Sequence, residues 1–277
     1  MLTRRHFLKA SVVTAGGYAL AAEPLLAQAI QTDTVGLMAG DVTIKSGNDT
    51  IPGYQAYPST PGQYPVILVI SEIWGVHEYI RDVARRFAKE GFYAIAPELF
   101  QREGGVSHLP NVQDILKVVL NVPRKQVLQD FSATAAYARG QAAAAANRVG
   151  VTGFCWGGST TIQYAAHDQQ LRAAVAWYGP PARPYKDEPQ PVTGFDVAKD
   201  IRCPFLGLFG EEDKSPPPEE VRKFEVALKQ HNQNVEVVIY PHAGHAFHAD
   251  YRPSYRAEAA QDGWKRCVAW FKRYLSV

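Results

Sequence analysis

From Tyr64 onward, short runs of continuously apolar residues alternate with longer stretches whose apolar positions recur at helical spacing. Runs without an alternating polar partner suit strands covered on both faces, and strand–helix alternation implies a mostly parallel sheet. The pattern predicts strands at Tyr64 to Ile70, Tyr93 to Pro97, Arg148 to Phe154, Leu171 to Tyr178, Ile201 to Phe209 and Val235 to Tyr240. It predicts helices at Glu78 to Glu90, Arg124 to Arg139, Gly158 to His167, Pro218 to Gln230 and Glu258 to Leu275. Residues 42–58 read as two short strands around the polar turn Gly47-Asn48-Asp49. Two stretches break the rhythm. Residues 100–122 are weakly patterned around Gly104-Gly105 and Pro110 and suit a mobile lid, and residues 179–198 form a Pro-rich excursion. With no internal repeat, the economical reading is one α/β domain over residues 30–277, its mostly parallel central sheet carrying helices on both faces.

The first residues follow another logic. Thr3-Arg4-Arg5-His6-Phe7-Leu8-Lys9 precedes an Ala-rich apolar run reaching Leu26, and Ala27-Gln28-Ala29 supplies a small-x-small cleavage site. This resembles a twin-arginine export signal over residues 1–29. It implies handling by the twin-arginine export machinery, a mature chain starting near Ile30, and a periplasmic or secreted location. The apolar runs that follow are too short to span a bilayer, so no membrane association is expected after signal cleavage.

Composition is that of an ordinary globular chain, 46% hydrophobic and 20% charged. The full chain has 29 basic and 27 acidic residues, and loss of Arg4, Arg5, Lys9 and Glu23 with the signal makes the counts equal. A neutral chain without basic clusters offers no electrostatic case for nucleic acid, so a small soluble substrate is expected.

The candidate chemistry begins at Gly153-Phe154-Cys155-Trp156-Gly157-Gly158, between a predicted strand and a predicted helix. A sharp strand-to-helix turn needs small residues two positions either side of its apex, and Gly153 and Gly157 supply them. Such a turn lifts the Cys155 side chain clear of the sheet and sets the next backbone N–H at a helix N-terminus, where it can stabilise an anion. The bland alternative is a small residue buried in a Gly-rich loop. Cys203 and Cys267 lie in apolar runs and read as core, and three cysteines cannot all pair.

In such sheets functional groups gather at the carboxyl ends of strands. A nucleophile needs a base, an acid to orient the base, and oxyanion donors. Asp213, within Glu211-Glu212-Asp213, is the acid best placed to turn back, while Glu211 and Glu212 suit the solvated turn. His245, after Gly244, is the best-placed base. His242, His245 and His248 could suggest zinc, yet Pro241 and Gly244 mark a loop without defined ligand geometry, and no metal or organic cofactor is expected. Glu72 ends a buried strand and needs a partner. That partner is either an arginine such as Arg81 or Cys155, whose thiol it would keep quiet until substrate arrives. In the second case the backbone N–H groups of Ile73 and Trp156 would be the oxyanion donors. Trp74, Trp156, Trp177, Tyr178 and His248 suit a compact apolar pocket or its rim, although the aromatic residues equally suit core packing.

Glu72-Ile73-Trp74-Gly75, the cysteine elbow, Gly210 with Asp213, and Gly244-His245-Ala246-Phe247 together resemble the dienelactone hydrolase family of α/β-hydrolases over residues 40–277. The resemblance implies Cys155 as nucleophile, His245 as base, Asp213 as orienting acid, Glu72 as the thiol's resting partner, and Ile73 and Trp156 as oxyanion donors. It implies hydrolysis of a small ester or lactone through an acyl-thioester, as in a carboxymethylenebutenolidase. Members that open dienelactones hold the substrate carboxylate with arginines, one shortly after the histidine. Here that stretch reads Phe247-His248-Ala249-Asp250-Tyr251-Arg252, so Arg252, Arg124 and His248 stand as substitutes. A general carboxylesterase or thioesterase, a non-catalytic binding protein on the same fold, and a redox-sensing thiol are the competing readings.

Overall fold

The computed structural model describes residues 29–185 and 191–276. The predicted export signal therefore lies outside the described residues, apart from Ala29. Eight strands form one sheet: β1 Leu37–Ser46, β2 Asp49–Pro58, β3 Tyr64–Ile70, β4 Tyr93–Pro97, β5 Ala144–Phe154, β6 Ala173–Trp177, β7 Phe205–Gly210 and β8 Val235–Tyr240. Their spatial order is β1-β2-β4-β3-β5-β6-β7-β8. The β1–β2 and β2–β4 pairs are antiparallel, and every pair from β4 onward is parallel.

The helices are α1 Glu78–Lys89, α2 Val112–Val119, α3 Arg124–Arg139, α4 Trp156–His167, the short α5 Gly194–Val197, α6 Pro218–Lys229 and α7 Ala257–Tyr274. On one face α1 meets α7 through Phe87 and Trp264, with ring centroids 4.5 Å apart. On the other, α3 meets α4 through Phe131 and Tyr164 at 5.3 Å. Strand β5 shows the two-sidedness directly. A side chain at Gly150 would strike Phe271 of α7, whereas one at Gly153, three residues on and so on the opposite face, would strike α4. β3, β4, β6 and β7 are buried almost throughout, as their unbroken apolar runs require.

Two sequence expectations change. The pair of short strands at 42–58 is a hairpin of two ten-residue strands. The half-exposed β1 carries few of the apolar residues that marked the inner strands. Residues 100–122 are not an unanchored lid. They hold a 3₁₀ turn at Gln101–Glu103 and the helix α2, whose first turn is capped by the Asn111 side chain accepting from the Asp114 N–H at 3.0 Å. Val106, Ile115, Leu116, Val119 and Val122 are buried in the core. Gly104 and Gly105, both at positive φ, interrupt the periodicity that would have signalled this.

Candidate active site

The site is built on the turn between β5 and α4. Cys155 has φ 59° and ψ −117°, a left-handed conformation that costs a β-carbon residue on the order of 1–3 kcal/mol. The surrounding backbones enforce it. The Cys155 N–H donates to the Trp177 carbonyl at 3.0 Å, and the Ser159 N–H to the Cys155 carbonyl at 3.2 Å. The flanking glycines are there for close approach: a Cβ on Gly153 would overlap the Gly157 carbonyl, and one on Gly157 would lie 2.5 Å from the Ile70 and Ser71 carbonyl oxygens. Gly157→Ala is therefore expected to destabilise the fold by about 2–3 kcal/mol, measured as a lowered urea midpoint at unchanged slope.

That same contact presses the end of β3, and with it Glu72 and Ile73, against the start of α4. Trp156 is the first residue of α4, where a backbone N–H has no intrahelical acceptor. The residues expected as oxyanion donors thus come from the two adjacent strand ends.

Asp213 follows β7 and His245 follows β8. The Asp213 carboxylate is 2% exposed and oriented by the Ser215 N–H, which donates to Oδ1 at 2.7 Å. Its Oδ2 lies 2.9 Å from His245 Nδ1, and His245 Nε2 lies 3.1 Å from Cys155 Sγ. Three strand ends so meet in one chain of hydrogen bonds, while Glu211 and Glu212 face solvent. Burial on its own pushes the His245 pKa down, but the Asp213 carboxylate, Cys155 and the hydrogen bonds to both hold it well above the usual imidazole value. Cys203 is buried without such partners, and burial pushes its thiol up to about 12; Cys267 is pushed higher still.

Glu72 is fully buried, and its partners are not Arg81, which pairs with Asp41 at 2.8 Å, nor the thiol. The Tyr251 hydroxyl donates to Glu72 Oε2 at 2.7 Å, Arg252 Nη2 lies 3.4 Å from the same oxygen, and His77 Nε2 is 3.9 Å away. Burial alone would raise the Glu72 pKa, but Arg252, His77, Tyr251 and His245 together hold it below its ordinary value. Cys155 Sγ instead makes its hydrogen bond with His245.

The expected pocket residues separate. Tyr178, at φ 37°, places its ring 5.3 Å from that of His245, and Trp74 lies under the Arg252 guanidinium at 5.3 Å. Trp156 is fully buried, with the Phe100 ring 5.1 Å away and the Arg183 guanidinium 5.3 Å from its own ring. Trp177 packs into the core against Gly263 of α7. His248, expected at the pocket or its rim, is 2% exposed in the core among Phe154, Trp177 and Trp264, its Nδ1 2.6 Å from the Tyr79 hydroxyl. Burial and then Arg86 keep it neutral, with its pKa well below the usual value. Sequence reasoning missed Tyr79, Tyr251 and the Arg86–Asp250 pair, all of which brace the histidine loop. A tyrosine at a helix start and an aspartate in a polar loop carry no local signal.

His242 is exposed beside Glu212, so the three histidines of the loop point to three different environments. Among the described residues no group of three or more His, Cys, Asp or Glu side chains is arranged to hold a metal, and no helix is long and apolar enough to cross a membrane.

The strand order, the two helical layers and the strained elbow at the end of β5 define an α/β-hydrolase. A model of the Dienelactone hydrolase family matches residues 51–275, and the chain belongs to that family of hydrolases. It is 48% identical over 277 residues to a Methylorubrum extorquens protein under the provisional name carboxymethylenebutenolidase, covering 99% of this chain and 94% of that one. An Escherichia coli K12 protein with the same provisional name is 46% identical, covering 93% and 95%. A crystal structure from Klebsiella pneumoniae, provisionally named a dienelactone hydrolase, superposes with a TM-score of 0.81 at 45% identity, covering 86% of this chain and 99% of that one.

Proposed function

We propose that the protein hydrolyses a small carboxylic ester or lactone with Cys155 as nucleophile, His245 as base and Asp213 as the acid that orients it. The observation that carries this reading is the continuous Asp213–His245–Cys155 hydrogen-bond chain, 2.9 and 3.1 Å, on a strained elbow. In this scheme Cys155 Sγ forms a bond to the carbonyl carbon with its proton held on His245. The oxyanion is met by the Ile73 and Trp156 N–H groups. Collapse breaks the carbon–oxygen bond, and His245 returns the proton to the leaving alkoxide, which in a lactone stays attached to the acyl chain. Water then attacks the acyl-thioester, losing its proton to His245, and the thiol is released with the carboxylic acid.

The name carried by the relatives favours a carboxymethylene-substituted butenolide, an unsaturated lactone. Of the groups considered for a substrate carboxylate, Arg252 lies within electrostatic reach of Cys155, whereas Arg124 donates to Gln163 at 2.8 Å and His248 is in the core. We also propose residues 1–29 as a twin-arginine export signal, with sequencing of the N-terminus from a periplasmic fraction as the check.

The test of the chemistry is a screen against p-nitrophenyl esters and unsaturated lactones, with quenched samples digested and weighed. A burst and an acyl adduct on the Cys155 peptide are expected, and turnover with no adduct there sinks the covalent scheme.

The acid in the triad has its own signature. Asp213→Asn removes the largest influence that holds the His245 proton on, so the His245 titration midpoint, read by NMR, is expected to fall. Turnover is expected to drop by about 10²–10⁴-fold, since the imidazole also loses the acceptor that fixes its tautomer. The linked stability has a definite sign. Because the folded pKa is raised, the Asp213–His245 pairing stabilises the fold fully below the ordinary imidazole value and is lost as pH rises through the folded one.

A further inference from the structure

The loop that carries His245 is gripped by one face of α1. Tyr79, Asp82 and Arg86 lie three, then four, residues apart and so share that face. Tyr79 bonds His248, while Arg86 donates through Nη2 to Asp250 and through Nε to Asp82 Oδ2 at 2.5 Å. Asp82 and Asp250 are 2% and 4% exposed. Two buried carboxylates on one guanidinium leave surplus negative charge, which is costly without further donors.

Those donors are Arg85, on the same helix, and the start of the described chain. The Thr32 N–H donates to Asp82 Oδ1 at 2.5 Å, and Arg85 Nη2 donates to the same oxygen at 3.2 Å. Arg85 Nε in turn donates to the Thr32 carbonyl at 2.8 Å. Lys89 Nζ donates to Asp33 Oδ1 at 2.6 Å and to the Val35 carbonyl at 2.7 Å. Ile30 lines an apolar cleft of about 250 Å³ with Tyr255, Ala260 and Trp264, and its backbone stands beside the Asp250 carboxylate. Trp264 also stacks on His248 at 5.9 Å. Residues 30–35 therefore touch both supports of the loop, the charge cluster at Asp250 and the aromatic stack at His248.

We propose that residues 30–35 form a strap that, through Asp82, Arg86 and Asp250, positions the loop bearing His245, so that Asp250 is a positioning residue for the imidazole–thiol contact. The inference rests on the reading of Cys155 and His245 as the reacting pair. Asp250 lies five positions beyond His245, and the stretch between them is held at His248 as well. Relaxing Asp250 thus displaces the imidazole without touching substrate. The effect belongs in kcat, with KM nearly constant.

The test compares full-length Thr32→Pro, which removes the strap's backbone donor together with the side chain, with Thr32→Ala, which removes the side chain and keeps the N–H. Asp250→Asn and its partial rescue by Asp250→Glu form the second pair. Two measurements are made: kcat and KM on p-nitrophenyl acetate, and the pH profile of Cys155 alkylation by iodoacetamide. Alkylation is read by mass on the Cys155 peptide, so Cys203 and Cys267, whose thiols burial pushes up, do not enter it. Thr32→Pro and Asp250→Asn are expected to lower kcat about tenfold with KM within about twofold, and to change the alkylation profile, while Thr32→Ala matches the unaltered chain. If Asp250→Asn does not fold, Thr32→Pro at its half-exposed position decides. A folded Thr32→Pro with unaltered kcat and alkylation, or with a lowered Tm alone, overturns the proposal. If the unaltered chain turns over no ester, the functional reading fails, and the alkylation arm still decides the strap.

Discussion

Cys155→Ala is expected to lower ester turnover by about four orders of magnitude or more, because every bond-making step of the proposed scheme passes through Sγ. The fold should barely respond. Cys155 is only 4% exposed, yet its backbone is held by the Trp177 and Ser159 hydrogen bonds, which alanine keeps. The measurement is p-nitrophenyl acetate hydrolysis beside circular dichroism and thermal melting. A folded Cys155→Ala protein that retains its turnover would falsify the nucleophile assignment. His245→Ala offers a cross-check on the same assay. Losses from the two single changes and from the double change should be similar, since groups that act as one unit are not additive.

Glu72→Ala is expected to be the most destabilising single change at the site, by about 3–5 kcal/mol, because it strips a buried carboxylate from the Arg252 guanidinium. For a chain of this size that corresponds to roughly 10 °C in Tm. The pH dependence separates charge from shape. Burial disfavours the Glu72 carboxylate, but Arg252, His77, Tyr251 and His245 outweigh burial and lower its folded pKa. Its stabilisation is therefore complete above the unfolded carboxylate value and is lost as pH falls through the lower, folded value. Below about pH 4 the parent chain should lose stability with acidification more steeply than Glu72→Gln. Parallel melting curves for the two across that range would remove Glu72 from the account of acid sensitivity.

The inner sheet was legible because β3, β4, β6 and β7 are covered on both faces and so are apolar at nearly every position. The elbow was legible because backbone crowding tolerates only glycine at two fixed offsets from Cys155. Asp213 and His245 could be picked out because each sits just beyond a strand end. The rest depended on contacts between residues far apart in the chain. Tyr251 meets Glu72 across 179 positions and Arg86 meets Asp250 across 164, and nothing in the neighbourhood of either pair announces its partner. His248 misled for a related reason. A histidine in a polar loop reads as exposed, and only the Tyr79 hydroxyl arriving from α1 makes its burial affordable. The short helix α2 escaped notice because eight residues between glycine and proline signals leave too little periodicity to read.

The order of the strands along the chain is also the order in which they are made. Cys155 is made at the end of β5, but Asp213 follows β7 and His245 follows the edge strand β8, the last strand among the described residues. A chain emerging from the ribosome thus holds Cys155 without its proposed base until nearly all of it has been made. On the assignment proposed above, a chain that stops short of His245 carries the elbow without its base.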